Sequence, residues 1–273
     1  MSYREIVKDV FPPFFLKKVR RHLQGGSHIY SSYSEALNQC RPGYAQEEIA
    51  KVVIAKNIRF SASLSRSTPV VDLGSMRELV AITLSAGSDS VNVLDFGGGG
   101  GHHYIVAKAV IGSKFNLRWN VVETETMVDA SGQIADGKLR FFTNIEEAAD
   151  DLQDVDLVFS SNALQYVPDQ EYFLNKLLSI GATNVFLTRV PLSRIQTKVI
   201  VQHSLLSENG PGPLPDGVRD KRVSYPATFS KKDTFESILK NKYDIKAIFQ
   251  EDQNAFIAQN EYVHMYGYLC SQY

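Results

Sequence analysis

The run Val93-Leu94-Asp95-Phe96, followed by five consecutive glycines from Gly97 to Gly101, constrains this chain more than any other stretch. The apolar lead-in through Val91, Val93 and Leu94 reads as a strand, and His102-His103-Tyr104-Ile105-Val106-Ala107-Lys108-Ala109-Val110 reads as a helix. A tight strand-to-helix turn needs one or two glycines, not five. Glycine accepts positive φ without steric cost and lets the backbone come close to a ligand. The stretch therefore reads as a ligand-binding turn of an α/β fold. Two phosphate-binding patterns fail. G-x-G-x-x-G needs glycine at relative positions one, three and six, but position six falls on His102 or His103. The pattern G-x-x-x-x-G-K-[ST] also fails, because no Lys-Ser/Thr pair follows. The register that fits is acidic-x-Gly-x-Gly-x-Gly, as Asp95, Gly97, Gly99 and Gly101, with Gly98 inside it.

Three zones follow from the periodicity. Residues 1–90 read as a helical extension, with predicted helices from Ser34 to Cys40, Ala45 to Lys56 and Asp72 to Leu84, the last capped by Asp72. Residues 91–190 alternate strands (91–95, 118–123, 139–143, 156–160, 184–188) with helices (102–111, 171–180), the signature of βαβ units and a parallel sheet. The last zone predicts a helix over 195–206 and a long mobile loop over 208–223. A helix over 230–240 comes next, then two strands, 243–250 and 262–269, joined by a polar turn around Asp252–Asn254.

Bulk numbers exclude several classes. A net charge of −1 argues against a nucleic-acid partner. Two cysteines, Cys40 and Cys270, are too few for a disulfide framework or a Cys-rich zinc site, and no metal is expected. No apolar run reaches transmembrane length, and residues 1–10 mix charge throughout, so the expected location is cytoplasmic. Residues 11–21 (Phe-Pro-Pro-Phe-Phe-Leu-Lys-Lys-Val-Arg-Arg) read as a segment that docks on its own domain or on a second subunit of a homodimer. Peripheral contact with an anionic membrane is the second reading.

The register Asp95-x-Gly97-x-Gly99-x-Gly101 resembles motif I of class I S-adenosylmethionine (SAM)-dependent methyltransferases. An acid before the glycines suits a cofactor with a sulfonium and an ammonium and no phosphate. Two closing strands after five alternating ones are similar to that family's fold. The resemblance thus implies an α/β, Rossmann-like, seven-stranded sheet, mostly parallel with the last strand antiparallel. The N-terminal helical extension (1–90) would cover the cofactor site of a methyltransferase domain (91–273). Further stretches resemble one bacterial group of methyltransferases associated with surface-polysaccharide gene clusters: Tyr33-Ser34-Glu35-Ala36-Leu37, Gly43-Tyr44, Trp119–Glu123, Ser161–Tyr166, Thr188-Arg189-Val190-Pro191, Val201-Gln202-His203 and Ser224-Tyr225-Pro226. The departure is His102-His103, directly after the glycines.

The resemblance implies SAM as cofactor and a small or glycan-related acceptor, O-methylated in surface-polysaccharide or sugar biosynthesis. Glu123 ends the second strand about 20 residues past the glycines, where an acid takes the ribose hydroxyls of a nucleoside; Glu125 is the nearby alternative. Asn144 would meet the adenine amino group, and Phe142 would stack on adenine or belong to the core. Ser161, Asn162, Gln165 and Tyr166 would lie beside the transferable methyl. A hydroxyl acceptor needs a base. His102 and His103, kept neutral by the positive helix N-terminus, are candidates, as is His203 in the predicted helix after the fifth strand. Arg189 would end the fifth strand and bind an acceptor carboxylate or phosphate. Tyr225 and Tyr44 would line or close the acceptor pocket. The readings from other classes are a NAD or nucleotide-sugar-binding Rossmann protein and a non-catalytic SAM-binding partner subunit.

Overall fold

The structure is a computed structural model that describes residues 28–40, 44–64, 68–87, 89–258 and 261–273. Residues 11–21 lie outside the described residues, as does the side chain of Tyr44. Three helices come first: α1 (Tyr33–Asn38), α2 (Tyr44–Leu64) and α3 (Leu73–Ser85). Ser32 caps α1 by accepting from the amide of Glu35. Asp72 caps α3 by accepting from the amide of Ser75.

The alternating zone forms β1 (Ser90–Phe96), α4 (His102–Ile111), β2 (Asn116–Val122), α5 (Glu125–Ser131), β3 (Leu139–Phe142), α6 (Ile145–Leu152), β4 (Leu157–Ser161), α7 (Gln170–Ser179) and β5 (Asn184–Ser193). These five strands lie in the order β3-β2-β1-β4-β5, all parallel. The parallel strands are covered on both faces, so adjacent residues diverge. Leu94 and Val158 enter the core cluster that holds Leu177 and Leu187. Val93, Phe159 and Phe186 enter the opposite cluster, around Trp119. The chain reverses direction across the sheet between β1 and β4, and that crevice is where an open α/β sheet receives ligands.

The C-terminal zone departs from the sequence expectation in three ways. The segment predicted as a helix over 195–206 is instead the strand β6 (Lys198–Leu205), hairpinned in antiparallel register to β7 (Arg222–Lys231). Its β-branched run Val199-Ile200-Val201 suits a pleated surface. The hairpin joins the sheet where Leu192 and Ser193 of β5 pair with Ser230 and Lys231. After α8 (Lys232–Lys240), the strands β8 (Tyr243–Ala258) and β9 (Glu261–Gln272) are longer than predicted. The ladder continues past Asp252–Asn254 to Ala258 opposite Glu261, so no turn falls at 252–254. The sheet therefore has nine strands, not seven. The expected seven are present as β3-β2-β1-β4-β5-β9-β8, with β9 antiparallel to both neighbours. The β6–β7 hairpin is an insertion.

The segment between β6 and β7 is irregular, as expected, but it is fastened to α2. Lys56 Nζ donates to the carbonyls of Ser207 (2.9 Å) and Asn209 (2.7 Å). Arg59 pairs with Asp216 at 3.2 Å, and Lys221 pairs with Glu48. No helix among the described residues is long and apolar enough to cross a membrane.

Candidate functional site

The glycine turn shows why five glycines stand in a row. Gly97, Gly99 and Gly101, the three positions of the register, all adopt left-handed backbone, with φ of 73°, 55° and 73°. The two between them are hemmed in. A Cβ on Gly98 would stand 2.3 Å from Asp95 Oδ2, and one on Gly100 would stand 2.5 Å from Asn57 Nδ2. Gly99 alone among the five would take a Cβ without a clash, its nearest neighbour being Val53 Cγ1 at an ordinary contact distance of 3.7 Å. Gly99 is thus the point of closest approach for a ligand.

That face opens into a cavity of about 1880 Å³, bounded by Gly97–Gly100, the ends of β2 and β4, α1, α2, and the β6–β7 hairpin. Pockets for drug-sized ligands measure about 300–1,000 Å³, so this cavity is larger than one such ligand needs.

Glu123 lies at the tip of β2 and lines the cavity. Its Oε1 accepts from the amide of Gly99 at 3.1 Å, and its Oε2 accepts from the amide of Thr124 at 2.9 Å. Burial raises its carboxyl above the usual range, and the two amides pull it back. Each oxygen keeps a lone pair for a ligand. Asn144 also lines the cavity, but its Oδ1 is the N-cap of α6, accepting from Glu146 and Glu147 amides. Glu125 stands exposed in the first turn of α5. Phe142 does not line the cavity. It packs on the large core cluster under the Arg140 guanidinium.

Ser161 and Asn162 line the cavity at the end of β4. Ser161 Oγ is buried without a hydrogen-bond partner among the described residues. Gln165 does not reach the cavity. It is 1 % exposed and donates to Asn162 Oδ1 at 2.7 Å from beneath. Its neighbour Tyr166 does line the cavity and donates to Gln202 Oε1 at 3.3 Å.

Asp95 is placed differently from its expected role. It is fully buried and does not line the cavity. Its Oδ2 receives Trp119 Nε1 at 3.1 Å and meets His103 Nδ1 at 2.8 Å. Gly101 likewise stays out of the cavity, where it forms the N-cap of α4.

The two histidines part company. Burial alone would push His103 down, but Asp95 and, at 3.8 Å from Nε2, Glu78 outweigh it and hold it up at about 9. Burial raises the Glu78 carboxyl, and Asp95 is the nearer acid to His103. His103 is therefore an imidazolium at neutral pH, against the expectation that the helix N-terminus keeps it neutral. His102 behaves as expected: burial and then the charge on His103 press it down to about 4. It lines the cavity against Phe60, and its Nδ1 has no partner among the described residues.

His203 faces away. On β6, Gln202 and Ser204 line the cavity, so strand alternation turns His203 to the other face. Tyr225 lines the cavity, donates to Ser204 Oγ at 2.9 Å and meets Tyr166 edge-on, centroids 4.9 Å apart.

Arg189 lines the cavity but does not end β5. It sits in a bulge between Leu187 and Val190, at φ 57°. Glu251 Oε1 fixes that bulge by accepting from Thr188 Oγ1 (2.8 Å) and the Arg189 amide (3.1 Å). Arg77 holds Glu251 in turn at 3.0 Å. Bulges next to ligand sites re-aim side chains, and this one gives the cavity a guanidinium.

Asn57, Glu78 and Glu251 escaped the sequence reading, since each reaches the site from an element distant in the chain. The described residues hold no cluster of three or more metal-ligating side chains.

No family model matches the chain, and no curated protein matches it. Among solved structures, it is similar to a S-adenosylmethionine-dependent methyltransferase from Clostridium acetobutylicum (13 % identity, TM-score 0.45, 74 % of this chain and 92 % of that one). It is similar to a putative S-adenosylmethionine-dependent methyltransferase from Listeria monocytogenes (14 %, TM-score 0.43, 73 % and 98 %). A third is a chain from the complex of the Trm112 methyltransferase activator and a putative methyltransferase of Haloferax volcanii (13 %, TM-score 0.42, 81 % and 97 %).

Proposed function

We propose that the cavity binds SAM and that the chain transfers its methyl group to the hydroxyl of a small, glycan-related acceptor. One observation carries this reading: Glu123 is pinned to the amide of Gly99, the one turn glycine without a crowded side-chain face. A carboxylate beside an uncrowded glycine suits a nucleoside diol on one side and the close approach of a sulfonium-bearing chain on the other. The unpartnered Ser161 Oγ adds a donor and acceptor on the same wall.

When bound, SAM supplies an electrophilic methyl carbon on sulfonium, which leaves as a neutral thioether. Activation of the cofactor is unnecessary; alignment and exclusion of water are what the protein contributes. The helical extension covers the site through α2, with Val53, Asn57 and Phe60 forming one wall. His102 is the base. Held neutral at pH 7, it would take the proton of the acceptor hydroxyl, while the bound cofactor would supply the electrophilic methyl group. Charged His103 does not serve as the base; after burial, its charge is what keeps His102 neutral.

The acceptor end is lined by Tyr33, Tyr166, Gln202, Ser204 and Tyr225, hydroxyls and an amide set among aromatic faces. Such a surface fits a polyhydroxylated ring, and Arg189 fits a carboxylate or phosphate on it. The test is mass spectrometry of sugar and sugar-phosphate pools incubated with the protein and isotopically labelled methyl-SAM. A labelled product whose formation needs His102 supports the reading. Absence of any methylated product across neutral and acidic sugars removes the acceptor class.

A further inference from the structure

Asn57 is 0 % exposed, on α2. Neither Nδ2 nor Oδ1 has a hydrogen-bond partner among the described residues. The side chain nevertheless lines the cavity, with Nδ2 2.5 Å from where a Cβ on Gly100 would stand. A primary amide brings two donors and an acceptor with two lone pairs. Burying all of them unmade is costly, and folded proteins almost always satisfy such groups. The amide is therefore shaped for a ligand group that presents an acceptor and a donor together.

The helix α4, ten residues long, has its N-cap at Gly101, directly beyond Gly100. Its leading amides and dipole favour negative charge at the same place. A group with an anion for the helix terminus and for one end of an amide, and a cationic donor for the other end, is the zwitterion of an α-amino acid. Whichever way the amide plane is turned, one end donates and the other accepts.

We propose that Asn57, a residue of the helical extension and not of the glycine turn, holds the amino-acid end of the ligand and makes the site select for ligands that carry it. This rests on reading the cavity as a SAM site. It also explains Gly100: any side chain there would close the gap between the turn and α2.

The test titrates S-adenosylhomocysteine and 5′-methylthioadenosine calorimetrically against wild type, Asn57→Ala and Asn57→Asp. The second ligand keeps the nucleoside and the thioether but lacks the amino acid. Asn57→Ala is expected to lose about tenfold or more in affinity for S-adenosylhomocysteine and to keep its affinity for methylthioadenosine, which also shows that it folds. Asn57→Asp, placing a carboxylate against the ligand carboxylate, is expected to lose more. Unchanged binding of S-adenosylhomocysteine overturns the proposal. Equal loss of both ligands also overturns it, since that marks an adenine contact or a damaged fold. Wild type that binds neither ligand overturns this proposal and the cofactor reading together. If Glu123→Ala loses S-adenosylhomocysteine while Asn57→Ala does not, the cofactor reading stands and this one falls alone.

Discussion

His103 Nδ1 lies 2.8 Å from Asp95 Oδ2, deep beneath the glycine turn. The contact ties the first turn of α4 to the end of β1, and it makes His103 a permanent cation at neutral pH. The folded value of about 9 exceeds the unfolded value of about 6.5. A raised folded value means that the contribution to stability is complete below pH 6.5 and is lost as pH rises through about 9. His103→Asn removes it. Calorimetric melting should show wild type losing Tm between pH 7 and 10 and the variant lower at pH 6 without that loss. Parallel pH profiles for the two proteins would mean that His103 is not charged.

His102 carries the chemistry in this account. His102→Ala should lower methyl transfer by about 10²-fold or more, the usual range for a general base, with affinity for S-adenosylhomocysteine unchanged. His203→Ala should leave both intact, because that ring faces away from the cavity. Held down to about 4, His102 is protonated only in acid. Turnover should thus stay level from pH 8 to about 5 and fall with a midpoint near 4. A wild-type profile with a midpoint near 6.5 would contradict a buried, neutral base.

Arg189 pays for its position. A non-glycine residue in left-handed backbone costs about 1–2 kcal/mol. Arg189→Gly should therefore stabilise the fold by about 1 kcal/mol in urea denaturation while abolishing transfer to an anionic acceptor. Loss of stability in that variant would mean that the bulge is not strained.

Lys56 is buried, 1 % exposed, and its ammonium serves two carbonyls of the segment between β6 and β7. Lys56→Met leaves those carbonyls without that partner, for a loss of about 2–4 kcal/mol, and should expose residues 207–221 to proteolysis. Unchanged protease resistance would mean that other contacts hold the segment.

Much of this was legible in the sequence, for physical reasons. Buried parallel strands must be apolar, so Val91–Asp95 and the strand around Val158 announced themselves, and a run of glycines admits few backbone shapes. The segment Lys198–Leu205 did not, because a short apolar run suits a helix or a strand until a partner strand is known. That one ambiguity misplaced His203, since alternation decides which face a strand residue takes. Arg189 was found, but its bulge depends on Glu251, 62 residues later. The partners Glu78 and Asn57 belong to helices whose docking against the turn no local pattern encodes. Asp95 was identified by its register yet serves the turn from below, where Trp119 and His103 claim its carboxylate.

Glu123 offers the most direct test of the central claim. Its carboxylate is the contact that takes the nucleoside diol in this account, while the glycine spacing is what sets the turn apart from a dinucleotide site. Calorimetric titration of wild type and Glu123→Ala with SAM, S-adenosylhomocysteine and NAD measures it. Wild type should bind the first two and not NAD, and Glu123→Ala should lose about tenfold or more of that affinity. Binding of NAD without the SAM pair, or a Glu123→Ala protein that binds SAM as wild type does, would contradict the account.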